Sequence, residues 1–111
     1  MRTPLMKRKA NSTAHGDRFS DERIEAVWKK ATVVAGVDPS KRRKDSCGAW
    51  IEFEKYGHTI DNGTGWEVDH IIPVSKGGGD EISNLQPLQW QNNRSKGNDS
   101  PASNFCIIKA R

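Results

Sequence analysis

Apolar residues follow two rhythms along the chain, and the change between them divides it. Ile24, Val27, Trp28 and Ala31 are spaced as one face of a helix. Ser20 stands where an N-cap belongs, and Phe19 and Ile24 have the spacing of a hydrophobic staple. The pattern therefore predicts a helix from near Ser20, with Gly36 as its stop. After the turn Asp38-Pro39-Ser40 and the basic run Lys41-Arg42-Arg43-Lys44, the apolar positions read as strands. Ala49 to Phe53 predicts a short strand, followed by loop from Tyr56 to Gly65. Trp66 to Ile72 predicts the best strand, ended by Pro73. Ser75 to Asp80, with Gly77-Gly78-Gly79, predicts a flexible loop. Asn84 to Leu88 predicts an extended segment that Pro87 confines to an edge or irregular strand, and Gln89 to Lys96 predicts a short helix closed by Gly97. The tail carries one apolar patch, Phe105-Cys106-Ile107-Ile108, expected as a strand packed back on the domain. Residues 1–18 are polar, basic and aperiodic, which predicts a disordered arm ahead of one domain over residues 19–111. No internal repeat interrupts this order.

Composition narrows the picture. With 111 residues, 33% of them hydrophobic, the core must be thin. Trp28, Trp50, Trp66 and Trp90 are expected to supply much of it. Cys47 and Cys106 are too few for a four-thiolate zinc site. They could pair as one disulfide, but MRTPLMKRKANS has no apolar leader segment, so the expectation is a soluble cytoplasmic protein with reduced thiols packed as small hydrophobes. No stretch approaches the length of a membrane span.

Charge changes the picture more. Residues 1–45 hold twelve Lys/Arg against six Asp/Glu, a balance of +6, and residues 46–111 hold six against eight, a balance of −2. A basic N-terminal half fits phosphate contacts on a polyanion as well as it fits a solvated surface.

The candidate chemistry lies in the acidic half. Asp69-His70, Asn84 and Asn93 fall on predicted strand, second strand and helix, with gaps of 14 and 9 residues from His70 to Asn84 and from Asn84 to Asn93. Between them lie a Pro-x-Ser-x-Gly-Gly loop and Asn-Leu-Gln. The segment WEVDHIIPVSKGGGDEISNLQPLQWQNNRSKGN, residues 66–98, resembles the core of the HNH endonuclease family. RKDSCGAWIEFEKYG resembles, less specifically, the lead-in of a zinc-free branch of it. The resemblance implies an α+β fold: a small ββα-metal core with an added N-terminal helix and a short extra strand.

It also implies roles. His70 resembles the general base that activates water, and Asn84 the residue that orients it. Asp69 and Asn93 resemble metal ligands, and Lys96, one turn after Asn93, would contact the phosphate. Such a set suits phosphodiester hydrolysis, which needs an activated water and neutralisation of the phosphate and leaving oxygen. A neutral histidine can take the proton near pH 7 if one tautomer is held. Asparagine stands at the third motif position, where the best-known members carry histidine. Two oxygen ligands favour Mg²⁺ or Mn²⁺ over Zn²⁺. Gln89 and Asn92 stand where many relatives carry a Cys pair, and upstream only Cys47 remains, so no structural zinc is expected. Strand alternation should turn Asp69 and His70 to opposite faces.

The expected partner is DNA, with RNA and structure-specific substrates left open, held by Lys41, Arg42, Arg43, Lys44, Lys76 and Arg94. A phage, restriction or mobile-element setting fits equally, and the residues do not fix the oligomeric state. His15 and His58 are expected to be incidental. The competing expectation is a non-catalytic nucleic-acid-binding module of the same fold, which would have no need of Asp69, His70, Asn84 and Asn93 together.

Overall fold

The helix expected from Ser20 is present in the computed structural model, which describes residues 8–98 and 104–109. Helix α1 spans Asp21–Trp28. The Ser20 hydroxyl accepts from the Arg23 amide at 3.2 Å, and Asp21 and Glu22 place negative charge in the first turn, where the helix dipole favours it. The helix ends well before Gly36. Thr32 is drawn into a bridge with Lys44, and Arg43 donates to the carbonyls of Lys29 and Ala31, so the chain must turn there. Ala31 is buried all the same.

Two antiparallel strand pairs follow. The basic run, to which the sequence pattern assigned no secondary structure, is itself a strand, β1 (Arg42–Lys44), paired with β2 (Trp50–Glu52). The predicted strand over 49–53 is therefore shorter, and Phe53–Lys55 forms a 3-10 turn. β3 (Trp66–His70) pairs with β4 (Leu85–Gln89), with Trp66 opposite Gln89 and His70 opposite Leu85. Among the described residues β4 pairs with β3 alone, and Pro87 stands opposite Val68, whose amide donates to Asn11, so Pro87 costs no ladder bond. Helix α2, Trp90–Lys96, returns over this hairpin. The Gln89 side chain caps it by accepting from the Gln91 and Asn92 amides, and Gly97 closes it with a positive φ of 52°. β3, β4 and α2 form the ββα unit, with α1 and the β1–β2 pair added: an α+β fold.

The core lies between α1 and the strands. Phe19, Ile24, Val27 and Trp28 meet Ile51, Trp66, Val68 and Leu85. Trp28 and Trp66 are 5.3 Å apart between ring centroids, and Tyr56 stands edge-on to Trp66 at 5.0 Å. Each buried ring removes roughly 150–250 Å² from water, about 4–6 kcal/mol before entropy is set against it. Only two of the four tryptophans do this. Trp50 is half-buried under Arg42 and Lys44, and the Trp90 indole donates to the Ile60 carbonyl.

Three segments differ from the sequence expectation. Residues 1–7 of the expected disordered arm lie outside the described residues, but residues 8–18 are tied down. The Asn11 carboxamide oxygen accepts from the Val68 amide and the Tyr56 hydroxyl, each at 2.8 Å, and the Ala14 amide donates to Asp80. The 75–80 loop is also fixed. Val74–Lys76 makes a 3-10 turn, and the Asn84 side chain clips the loop by bonding Ile72 and Gly79. A Cβ at Gly78 would sit 1.7 Å from the Ile72 carbonyl oxygen, so only glycine fits this clip. Third, the tail patch forms no strand. Asn92 holds it by accepting from the amides of Ile107 and Ile108.

That docking corrects the expectation of reduced thiols. It brings Cys106 beside the turn at Cys47, with Cα atoms 5.5 Å apart, and the two form a disulfide. Among the described residues, no helix is long and apolar enough to cross a membrane.

Candidate active site

β3 is buried along its whole length because both its faces are covered. Trp66 and Val68 turn into the core, and the His70 ring lies 6.0 Å from Phe19. Glu67 and Asp69, on the other face, meet α2. Alternation therefore does separate Asp69 from His70, as expected. The two meet again at the strand end, where a cavity of about 180 Å³ is lined by both and by Asn93.

His70 is held by one ring nitrogen. Its Nε2 lies 2.7 Å from Asp80 Oδ1, and its Nδ1 is buried with no partner among the described residues. Partial burial pulls Asp80 upward, but hydrogen bonds from His70 and from the Ala14 amide outweigh it and leave this carboxyl below its ordinary range. An ionised carboxylate can only accept, so Nε2 carries the hydrogen and a neutral ring keeps its lone pair on Nδ1. A buried acceptor left without a donor costs about 1–3 kcal/mol.

Asp69 is fixed from two sides. Gln86 donates to Oδ2 at 2.9 Å and the Lys96 ammonium to Oδ1 at 3.1 Å. Burial pushes the Asp69 carboxyl above its ordinary value, and Gln86 and Lys96 hold it back. Asn93 donates its Nδ2 to Glu67 at 2.9 Å, and its Oδ1 accepts no hydrogen bond among the described residues. Glu67 also takes a two-bond fork from Arg94, at 3.0 and 2.7 Å.

Of the other residues singled out in the sequence, Asn84, Lys96, Arg94 and Arg43 are engaged within the fold. Asn84 makes no hydrogen bond to His70 among the described residues. It clips the loop on Ile72 and Gly79, and the next residue after Gly79 is Asp80, so its link to His70 runs through that loop. Lys96 is 1% exposed, with its ammonium on Asp69 and on the His70 carbonyl at 2.8 Å. Arg94 is committed to Glu67. Arg43 folds back on the carbonyls of Pro39, Lys29 and Ala31. Lys41, Arg42 and Lys76 are exposed, and Lys44 lies over Trp50.

Sequence reasoning missed Glu67, Asp80, Arg8 and Asn11. Glu67 carried a signal, since it stands two residues before Asp69 on the same strand face. Arg8 and Asn11 carried none, because only the folded chain brings them to β3.

Residues 46–99 match the family model described as HNH endonuclease. Comparison with curated proteins and with solved structures gives no match. HNH domains act on nucleic acids as nucleases or binding modules, and usually hold a divalent metal. No group of three or more His, Cys, Asp or Glu side chains among the described residues is placed to hold a metal. The cavity instead offers one carboxylate, Asp69, and one amide oxygen, Asn93. Both are hard oxygen donors of the kind a divalent cation takes.

Proposed function

We propose that this chain is a metal-dependent endonuclease that hydrolyses phosphodiester bonds in DNA. One observation carries the reading: His70 has Nε2 locked on an acidic partner, Nδ1 buried and unpartnered, and a place on the same small cavity as Asp69 and Asn93.

In this reading His70 takes a proton from water at Nδ1 as the water oxygen attacks phosphorus. Asp80 holds the ring in the required tautomer and stabilises the imidazolium that forms. Asn84 supports Asp80 by clipping its loop. Asp69 and Asn93 would hold one Mg²⁺ or Mn²⁺, which when bound neutralises charge on the phosphate and leaving oxygen. Lys96 and Gln86 set the Asp69 carboxylate, and Glu67 sets the Asn93 amide. Lys41, Arg42, Lys44 and Lys76 supply contacts to the DNA backbone.

The test is nicking of supercoiled plasmid with Mg²⁺. His70→Ala should lower the single-turnover rate by about 10²–10⁴-fold, the range for a lost general base, with the fold intact. EDTA should stop the parent, and added Mg²⁺ or Mn²⁺ should restore it. Undiminished cutting by His70→Ala, or by the parent after exhaustive chelation, would remove this mechanism.

A further inference from the structure

One wall of the His70 cavity comes from outside the HNH segment. Arg8 and Asn11 line it together with Asp69, His70 and Asn93. We infer that Arg8 is a phosphate-contacting residue of this site, delivered by the N-terminal segment and held there by Asn11. The inference rests on reading the site as a phosphodiester hydrolase and adds the residue that receives the substrate's charge.

The segment is anchored too specifically for a loose basic arm. Asn11 adopts a left-handed φ of 61° and spends its carboxamide oxygen on the Val68 amide and the Tyr56 hydroxyl. Val68 lies between Glu67 and Asp69, so this clamp registers the segment against the strand that carries the site. Ser12 is buried and bonds the Lys9 carbonyl. Ala14 then donates to Asp80, the carboxylate that holds His70. The chain therefore passes from Arg8 to the support of the base within seven residues.

Arg8 itself is half committed. Its Nη1 donates to the Ser12 carbonyl at 2.7 Å, the Ser12 hydroxyl and the Lys9 carbonyl. Nε and Nη2 make no hydrogen bond among the described residues. Burial lowers the guanidinium from its ordinary value and the charges of Asp69 and Asp80 oppose this, yet Arg8 forms no ion pair with either carboxylate. An arginine stays cationic regardless. The other cation lining this cavity, Arg94, is spoken for by Glu67, and Lys96, buried outside the lining, by Asp69. The Asp69 carboxylate on this wall would repel a phosphodiester, and Arg8 offers it a positive charge paired with no carboxylate and N–H donors at Nε and Nη2 that make no hydrogen bond among the described residues.

Two measurements on one short duplex test this. The first is DNA affinity across a salt series in EDTA, which needs no cleavage. The second is single-turnover cleavage at saturating duplex with Mg²⁺. Arg8→Gln keeps a donor for Ser12 and should flatten the log–log salt slope by about 0.9, one phosphate contact. It should also slow cleavage on the order of 10²-fold, the effect of removing one preorganised donor. Arg8→Lys should keep the slope but recover only part of the rate, since a point charge replaces the fork; a role in folding alone would leave both slopes and rates per folded molecule unmoved. An unchanged slope and rate in Arg8→Gln overturns the inference. So does faster cutting, which would make Arg8 a plug. A flattened slope with a parent that never cuts would keep the phosphate contact and sink the hydrolase reading instead.

Discussion

Asn92 and Asn93 are chemically identical neighbours on α2, both buried, and they serve opposite ends. Asn92 is saturated: it donates to Asp45 and to the Ile108 carbonyl, and accepts from the Ile107 and Ile108 amides. Asn93 is left open, with one donor on Glu67 and a carbonyl oxygen that nothing in the described chain engages. The same contrast runs along each side of the helix. Behind it, Asp45 accepts from Gln89, Asn92, Ala49 and Cys47. In front, His70 Nδ1 has no partner among the described residues. A small domain with a thin core can close its polar network on one face of a helix and withhold it on the other. The withheld atoms are the ones on which the proposed site rests.

The closed face should break first in stability. Replacing Cys47 and Cys106 together by serine, or reducing the bond, opens a crosslink with a sequence separation of 59, worth about 4 kcal/mol on a chain-entropy reckoning. Thermal melts with and without reductant should show a large drop, and cleavage per folded molecule should be unchanged. A melt insensitive to reductant would mean that the hydrogen bonds of Asn92 hold the tail unaided.

Exchanging the two asparagines sharpens the comparison. Asn92→Ala should cost about 2–3 kcal/mol by stranding buried partners, with activity retained at low temperature. Asn93→Ala should leave the melt within a few degrees yet lower cleavage on the order of 10²-fold, and extra Mg²⁺ should recover part of it. Equal melts, or equal rates, for the two variants would erase the distinction between the faces.

The smallest effect concerns the basic strand. Arg43→Ala should lose about 1 kcal/mol, because its guanidinium serves the carbonyls at the end of α1, and should leave the salt slope of DNA binding unchanged. Arg42→Ala should do the reverse: little change in the melt and a slope flatter by about 0.9. A flatter slope for Arg43→Ala would place that residue on DNA despite its hydrogen bonds.

What could be read from the sequence follows from range. The start of α1 rests on Ser20 and Phe19, β3 on five residues, and the end of α2 on Gly97; each is decided within a turn or two, and each was legible. The meeting of Asp69, His70 and Asn93 at one cavity was legible through the family pattern. The partner of His70 was not. The family resemblance pointed to Asn84, and the fold instead sets Asp80 against the ring, on the loop that Asn84 clips. Arg42 and Arg43 look alike in a basic run and differ once strand pairing sets Arg43 opposite Ile51. The disulfide and the anchoring of residues 8–18 depend on contacts across the whole chain, for which no local pattern exists.

The disulfide has a topological consequence as well. Its ends, Cys47 and Cys106, bracket every residue of β2, β3, β4 and α2, so the crosslink makes the HNH segment a covalent ring with two free strands of chain outside it. A single cut in that ring does not separate the pieces. A protease that nicks the exposed loop at Ile60 would leave one molecule, running as one species until reductant is added. His70 on one fragment would thus stay tethered to the Cys47 side of the cut by chemistry rather than by folding.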